Sequence, residues 1–188
     1  MQINPQIFRE YDIRGVVNED LTPDVVKTLG QGFGTYMIQL GHRELVVGRD
    51  GRLSSKAFEE GLIQGLISTG CDVINIGLCP TPVYYFSIFH LDKDGGMMVT
   101  GSHNPPEFNG FKVSVGKSTI FGEEIQNLRR LAEKKEFTAG NGKLSEKEII
   151  RPYQDYIKKN IHVKKKMRVA IDAGNGTAGI VAGQLLRD

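Results

Sequence analysis

Cysteine is scarce in this 188-residue chain: Cys71 and Cys79 are its only two. They make neither a disulfide framework nor a Cys-x-x-Cys pair, so a reducing, cytoplasmic setting is expected. An excess of either charge is also missing. Lys and Arg total 24 against 22 Asp and Glu, a formal charge of +2, which leaves no footprint for nucleic acid. No apolar run approaches the roughly 20 residues that span a bilayer, so no membrane partner is expected. The opening MQINPQIFREYD lacks the apolar stretch of a secretory signal. Wholesale disorder is excluded by 39% apolar and 24% charged residues. Proline is sparse at 7, yet glycine reaches 23 without any repeat. That imbalance implies many tight turns and close backbone approaches.

Helical and strand signals alternate. Thr22-Pro23-Asp24 reads as a helix start, with a hydroxyl cap, proline at the first helical position and an acid for the dipole. Val26, Leu29, Phe33, Met37 and Leu40 follow at helical spacing until Gly41. Leu45-Val46-Val47-Gly48 predicts a short buried strand. Ser54 or Ser55 caps a second helix bearing Phe58, Leu62 and Leu66, which Gly70 ends. Further strands are predicted at 72–76, 96–100 and 111–115, and helices at 82–89, 121–135 and 149–161. The alternation predicts an α/β fold with a largely parallel or mixed sheet sandwiched between helices.

Composition shifts after Lys134, and Thr138-Ala139-Gly140-Asn141-Gly142-Lys143 reads as a linker. Lys164-Lys165-Lys166 precedes a predicted strand at 167–171, then Gly174-Asn175-Gly176 and a helix start. A βα unit of about 20 residues cannot bury its own faces. Residues 1–147 are therefore expected to form one domain, and 148–188 the truncated start of a second.

The densest polar chemistry is Thr100-Gly101-Ser102-His103-Asn104-Pro105-Pro106. It lies beyond the carboxyl end of an apolar strand, where open α/β sheets place ligands. Gly101 permits a sharp turn that uncovers the Ser102 hydroxyl, and the prolines stiffen the exit. An ordinary strand-to-loop turn would use the same residue types. A serine hydrolase is poorly supported, since neighbours in extended chain point apart and no Gly-x-Ser-x-Gly elbow is present. Phosphoryl transfer through a serine ester fits better, because it needs positioning and cations more than a strong base. Lys112, following Asn109-Gly110-Phe111 read as a turn, can return towards Ser102. Arg14, Arg49 and Arg52 are further cations, although for any one of these four alone a solvated surface charge is the commoner explanation.

Other patterns are weaker. Gly174-x-Gly176-x-x-Gly179 matches a dinucleotide fingerprint, and a tight domain-opening turn accounts for it as well. Asp92-Lys93-Asp94-Gly95 lacks the spacing of a calcium loop and reads as a turn. His42, His90 and His162 show no paired metal-ligand spacing.

Six blocks occur in order: Tyr11-Asp12-Ile13-Arg14-Gly15, Val47-Gly48-Arg49-Asp50-Gly51-Arg52, Pro80-Thr81-Pro82, residues 100–106, Asn109-Gly110-Phe111-Lys112, and Asp172-Ala173-Gly174-Asn175-Gly176. Together they resemble the front portion of the bacterial phosphomannomutase/phosphoglucomutases of the α-D-phosphohexomutase superfamily. The resemblance implies domain I of that fold plus the first βα unit of a second similar domain. It implies that the complete enzyme interconverts hexose 1-phosphates and 6-phosphates of mannose or glucose through a bisphosphorylated sugar. Ser102 would carry the phosphate, and Lys112 would be the general acid/base. Arg14 would lie near the phosphoserine, Tyr11 on the substrate side, and His103 and Asn104 would shape the loop. Mg²⁺ would take one oxygen from the Ser102 phosphate, and glucose 1,6-bisphosphate would act as activator. The family's remaining Mg²⁺ ligands, sugar-selecting loop and phosphate-binding loop have no match here, so this chain alone is expected to be nearly inactive. The alternative is a non-catalytic module that binds sugar phosphates or covers its exposed βα start by dimerisation.

Overall fold

Thr22 sets the start of the first long helix in the computed structural model, which describes residues 3–187. Its hydroxyl accepts the Val25 N–H at 3.3 Å, Pro23 occupies the first turn, and Asp24 complements the dipole. This helix, α1 (Pro23–Gln39), buries Val26, Leu29, Phe33 and Met37 along one stripe. It packs on α2 (Ser55–Ser68). Gly30 and Gly65 stand at the crossing: a Cβ on Gly65 would strike the Lys27 carbonyl, and one on Gly30 the Leu62 carbonyl. Part of the glycine excess thus lets two helix backbones touch. Ser54 occupies the N-cap position of α2 with an already helical backbone and makes no side-chain cap; its hydroxyl accepts from Asn109 at 2.8 Å.

The strands are β1 (Ile13–Val16), β2 (Glu44–Arg49), β3 (Asp72–Leu78), β4 (Gly95–Val99), β5 (Phe108–Val115), β6 (Ser118–Thr119) and β7 (Leu144–Glu146). They form one sheet in the order β1-β5-β4-β2-β3-β7, with β6 beside β5. The stretch from β4 to β7 is parallel, whereas β5 runs antiparallel to β4, β1 and β6. Alternation assigns the faces. Leu45, Val47, Met97, Val99, Phe111 and Val113 pack with α1, α2 and α4 (Glu123–Lys134). Val46 and Met98 pack on the other side with α3 (Thr81–His90) and Ile149, at the start of α5 (Ile150–Asn160). Strands covered on both faces read as unbroken apolar runs, which is why the sequence showed them so clearly. The mixed sheet between helices agrees with the expected α/β fold.

Four expectations change. Residues 13–16 form an edge strand that Arg14 and Gly15 had disguised, and β5 starts at Phe108. Asn109 and Gly110 are therefore ladder residues opposite Gly15 and Arg14, not a turn. The segment read as a linker is tied to α2, Gly142 N–H donating to the Ile67 carbonyl and Gly140 N–H to the Ser68 carbonyl, before β7 joins the edge of β3. The predicted strand at 167–171 is not formed among the described residues, and Met167, Val169 and Ile171 are exposed. A strand exists only as part of a ladder, and among the described residues this segment joins none. A short helix, α6 (Gly179–Leu185), follows. Its Val181 reaches the α3–α5 cluster, and its carbonyl accepts from Gln154 at 3.0 Å. Among the described residues, no helix is long and apolar enough to cross a membrane.

Candidate active site

β2, β3 and β4 run parallel, and their carboxyl ends lie level: Arg49 pairs with both Leu78 and Val99. The loops after them converge at one edge of the sheet, where a doubly covered sheet opens a crevice. The loop after β4 turns at once. Thr100 N–H completes the ladder to the Gly110 carbonyl, and Thr100 Oγ1 accepts the Ser102 N–H at 2.9 Å. Ser102 is left-handed, with φ +53°, a conformation costing a side-chain-bearing residue about 1 kcal/mol or more. Its hydroxyl stands exposed at the tip. Asn104 closes the turn, donating both its backbone N–H and its amide Nδ2 to the Gly101 carbonyl at 3.0 and 2.7 Å.

The left-handed turn changes one expectation. Ser102 Oγ and His103 Nδ1 approach to 3.4 Å, although neighbours in extended chain would point apart. No third group orients the imidazole among the described residues, so a triad is still not assembled. Ser102, His103 and Asn104 line an open cleft of about 660 Å³, together with Thr81, Met98 and residues 174–177. The glycine-rich segment once matched to a dinucleotide fingerprint therefore faces Ser102. It follows no strand, which the fingerprint requires.

The cations divide by role. Arg14 donates to Asp12 Oδ2 at 2.7 Å and to Asn104 Oδ1 at 3.2 Å, so it reaches the loop partly neutralised. Lys112 lies opposite Met98 in the ladder, on the face away from Phe111 and Val113, and forms no ion pair among the described residues. Arg14 and Lys112 thus share the Met98 face of the sheet. Arg52 is not a free phosphate-binding cation. Its guanidinium donates to the carbonyls of Ser102, Asn104, Pro105 and Phe108 at 3.1, 2.6, 2.7 and 2.8 Å. Its Nε also meets Asp50 Oδ2 at 3.4 Å. Arg49 is turned away from this loop, bonding Glu59 at 3.2 Å beside a second cavity of about 400 Å³. Burial raises the Glu59 carboxyl pKa, and Arg49 only partly opposes it. Tyr11 is exposed and packs beside Phe121, ring centres 6.5 Å apart, outside the cleft lining.

Asp50 and Asn109 matter more than their place in the motifs suggested. Asp50 accepts from the N–H groups of Arg52 and Gly101 at 3.1 and 3.2 Å and from the Ser55 hydroxyl at 2.5 Å. Buried Asn109 donates to the Ser54 and Ser55 hydroxyls at 2.8 and 2.9 Å, fastening the end of the loop to the start of α2. The only signal for this in the sequence was the clustering of Asp, Arg and Ser just past β2.

The chain's own residues do not build a metal site: among the described residues, no group of three or more His, Cys, Asp or Glu is placed to hold an ion. The carboxylate nearest the loop, Asp50, is already occupied by hydrogen bonds. Both cysteines are free and buried, and burial pushes the Cys79 thiol up to about 12 and Cys71 in the same direction. Neither is a nucleophile in this fold.

Comparison with known proteins bears on these features. The family model for "phosphoglucomutase/phosphomannomutase, alpha/beta/alpha domain I" matches residues 5–139. The phosphomannomutase/phosphoglucomutase of Pseudomonas aeruginosa is 43% identical over 96% of this chain and 39% of its own length. A phosphoglucomutase of Neisseria gonorrhoeae is 40% identical over 98% of this chain and 41% of its own length. A crystal structure of a phosphoglucomutase/phosphomannomutase family protein from Burkholderia thailandensis superposes with a TM-score of 0.95 at 36% identity. It covers 99% of this chain and 42% of its own. The chain thus spans about two fifths of the length of the relatives it matches, and it belongs to the phosphoglucomutase/phosphomannomutase family, whose α/β/α domain I is the sheet and helices that carry the Ser102 loop.

Proposed function

We propose that this chain is the phosphate-carrying part of a phosphohexomutase, an isomerase of carbohydrate metabolism, with Ser102 as the carrier. One observation supports this above the others: a left-handed serine at a strand tip opens its hydroxyl onto an open cleft of about 660 Å³. In the proposed step, Ser102 Oγ attacks a phosphorus of a hexose bisphosphate such as glucose 1,6-bisphosphate. The bond from phosphorus to the sugar oxygen breaks as the serine ester forms, and the serine proton ends on the sugar oxygen. Reversal onto the other sugar oxygen interconverts the 1- and 6-phosphates of mannose or glucose. Lys112 is proposed as the proton carrier at the sugar oxygen. Arg14 supplies charge through its contact with Asn104, His103 borders the serine oxygen, and Tyr11 belongs to the substrate side.

Mg²⁺ on the serine phosphate belongs to the same proposal, with its remaining ligands contributed by residues other than those described. A cytoplasmic setting and the division at 147/148 are also proposed. Intact mass tests the central claim. Incubation with glucose 1,6-bisphosphate is expected to add about 80 Da, lost in Ser102→Ala. An unmodified wild-type mass refutes self-phosphorylation by this chain. A second reading, a module that pairs with another copy, is favoured by the exposed apolar side chains of Val163, Met167 and Val169. A dimer in native mass spectra of the same sample supports that pairing, and a monomer removes it.

A further inference from the structure

We infer that Arg52 is the positioning residue of the Ser102 loop, a brace that holds the serine at the strand tip and does not itself bind phosphate. The inference rests on the phosphoserine reading for its meaning, and on geometry for its substance. A guanidinium has five N–H donors in a rigid fork and accepts nothing. Here that fork lies inside the loop, bonding four successive-turn carbonyls from Ser102 to Phe108, while Asp50 steadies its Nε. Carbonyl oxygens gathered this closely repel one another, and only a cation with several donors can hold them together. The side chain of Arg52 is only 15% exposed, so water does not substitute for it easily.

Gly101 completes the device. A Cβ there would overlap the Arg52 guanidinium, so the position before the serine must be bare for the brace to seat. Asp50 holds both ends, pairing ionically with the Arg52 guanidinium and accepting from the backbone N–H groups of Arg52 and Gly101. Left-handed Ser102 is therefore over-determined by its surroundings, as a sparsely populated backbone conformation requires. The Arg52 charge is spent on the protein's own carbonyls and Asp50. Arg52 lines the cleft beside Ser102 with its donors already taken, whereas Arg14 and Lys112 share the Met98 face of the sheet but lie outside the cleft lining.

Amide hydrogen exchange on the 188-residue chain tests the brace. In Arg52→Ala, amides of 101–108 should exchange at least about tenfold faster, with α1 unchanged. Methylguanidinium at millimolar concentration should restore protection to the loop, because it can refill the fork. General destabilisation would not respond in that way, since guanidinium compounds weaken folds. Arg52→Lys should give partial loosening without rescue, and it serves if the alanine variant does not fold. Unchanged exchange at 101–108 in either variant overturns the brace, as does loosening spread evenly over α1. Phosphate uptake from glucose 1,6-bisphosphate is read by mass in the same samples. Failure of the wild-type chain to gain phosphate counts against self-phosphorylation by this chain, while the exchange data judge the brace separately.

Discussion

Gly101→Ala measures how tightly the serine loop and the Arg52 guanidinium are locked together. The added methyl would overlap Arg52 Cζ and Nε, the far end of a side chain that would normally swing aside. Here swinging aside means releasing the carbonyls of Ser102, Asn104, Pro105 and Phe108. Hydrogen bonds from a charged donor are worth about 1.5–3 kcal/mol each when buried, less where the loop is exposed. The other escape is a backbone shift, and overpacking of this kind costs about 1–3 kcal/mol. The cheaper route sets the loss at about 2 kcal/mol, or roughly 4–8 °C in Tm for a chain of this size. In an Arg52→Ala background the methyl meets no guanidinium, and its cost should fall to about 0.5 kcal/mol or less. Urea unfolding of the wild type, both single variants and the double variant gives the coupling, expected near 1.5 kcal/mol. Additivity within about 0.5 kcal/mol would refute the lock between Gly101 and Arg52.

Two further outcomes concern the scaffold. Gly65→Ala should destabilise by about 1–3 kcal/mol, because its methyl would meet the Lys27 carbonyl and the Gln31 backbone nitrogen, neither of which can rotate away; a urea midpoint equal to wild type would contradict the close helix crossing. Asp94 Oδ2 accepts the Arg43 and Glu44 N–H groups at 2.8 and 2.9 Å, joining the start of β2 to the turn before β4. Burial alone would raise its pKa, but those N–H groups and His42 outweigh it and leave the carboxyl below its usual value. A lowered folded-state pKa stabilises above the unfolded value, and that stability disappears as pH falls through the folded one. Asp94→Ala should therefore cost about 1 kcal/mol at pH 7, discounted for partial exposure, and the gap should narrow in acid. A gap that stays constant down to pH 2 would refute the carboxylate's role.

The sequence by itself determined the α/β alternation, because strands buried on both faces are apolar throughout and helices with one buried face are periodic. It also marked the Ser102 loop, since Gly-Ser-His-Asn-Pro-Pro after an apolar strand is a turn with an uncovered hydroxyl. Edge strands were hidden for a physical reason. At 144–146 every residue is exposed and the backbone ladder holds the strand, while at 13–16 Arg14 and Gly15 interrupt the apolar pattern although Ile13 packs in the core. The segment 167–171 failed in the opposite sense: it has the side chains of a strand but pairs with no strand among the described residues. Only the tertiary structure decided what each cation does. Arg14, Arg49, Arg52 and Lys112 look equivalent along the chain, yet one meets Asn104, one pairs with Glu59, one is consumed by four carbonyls, and one forms no ion pair among the described residues. Charge is a property of the residue; availability is set by the carbonyls and carboxylates that folding brings within reach.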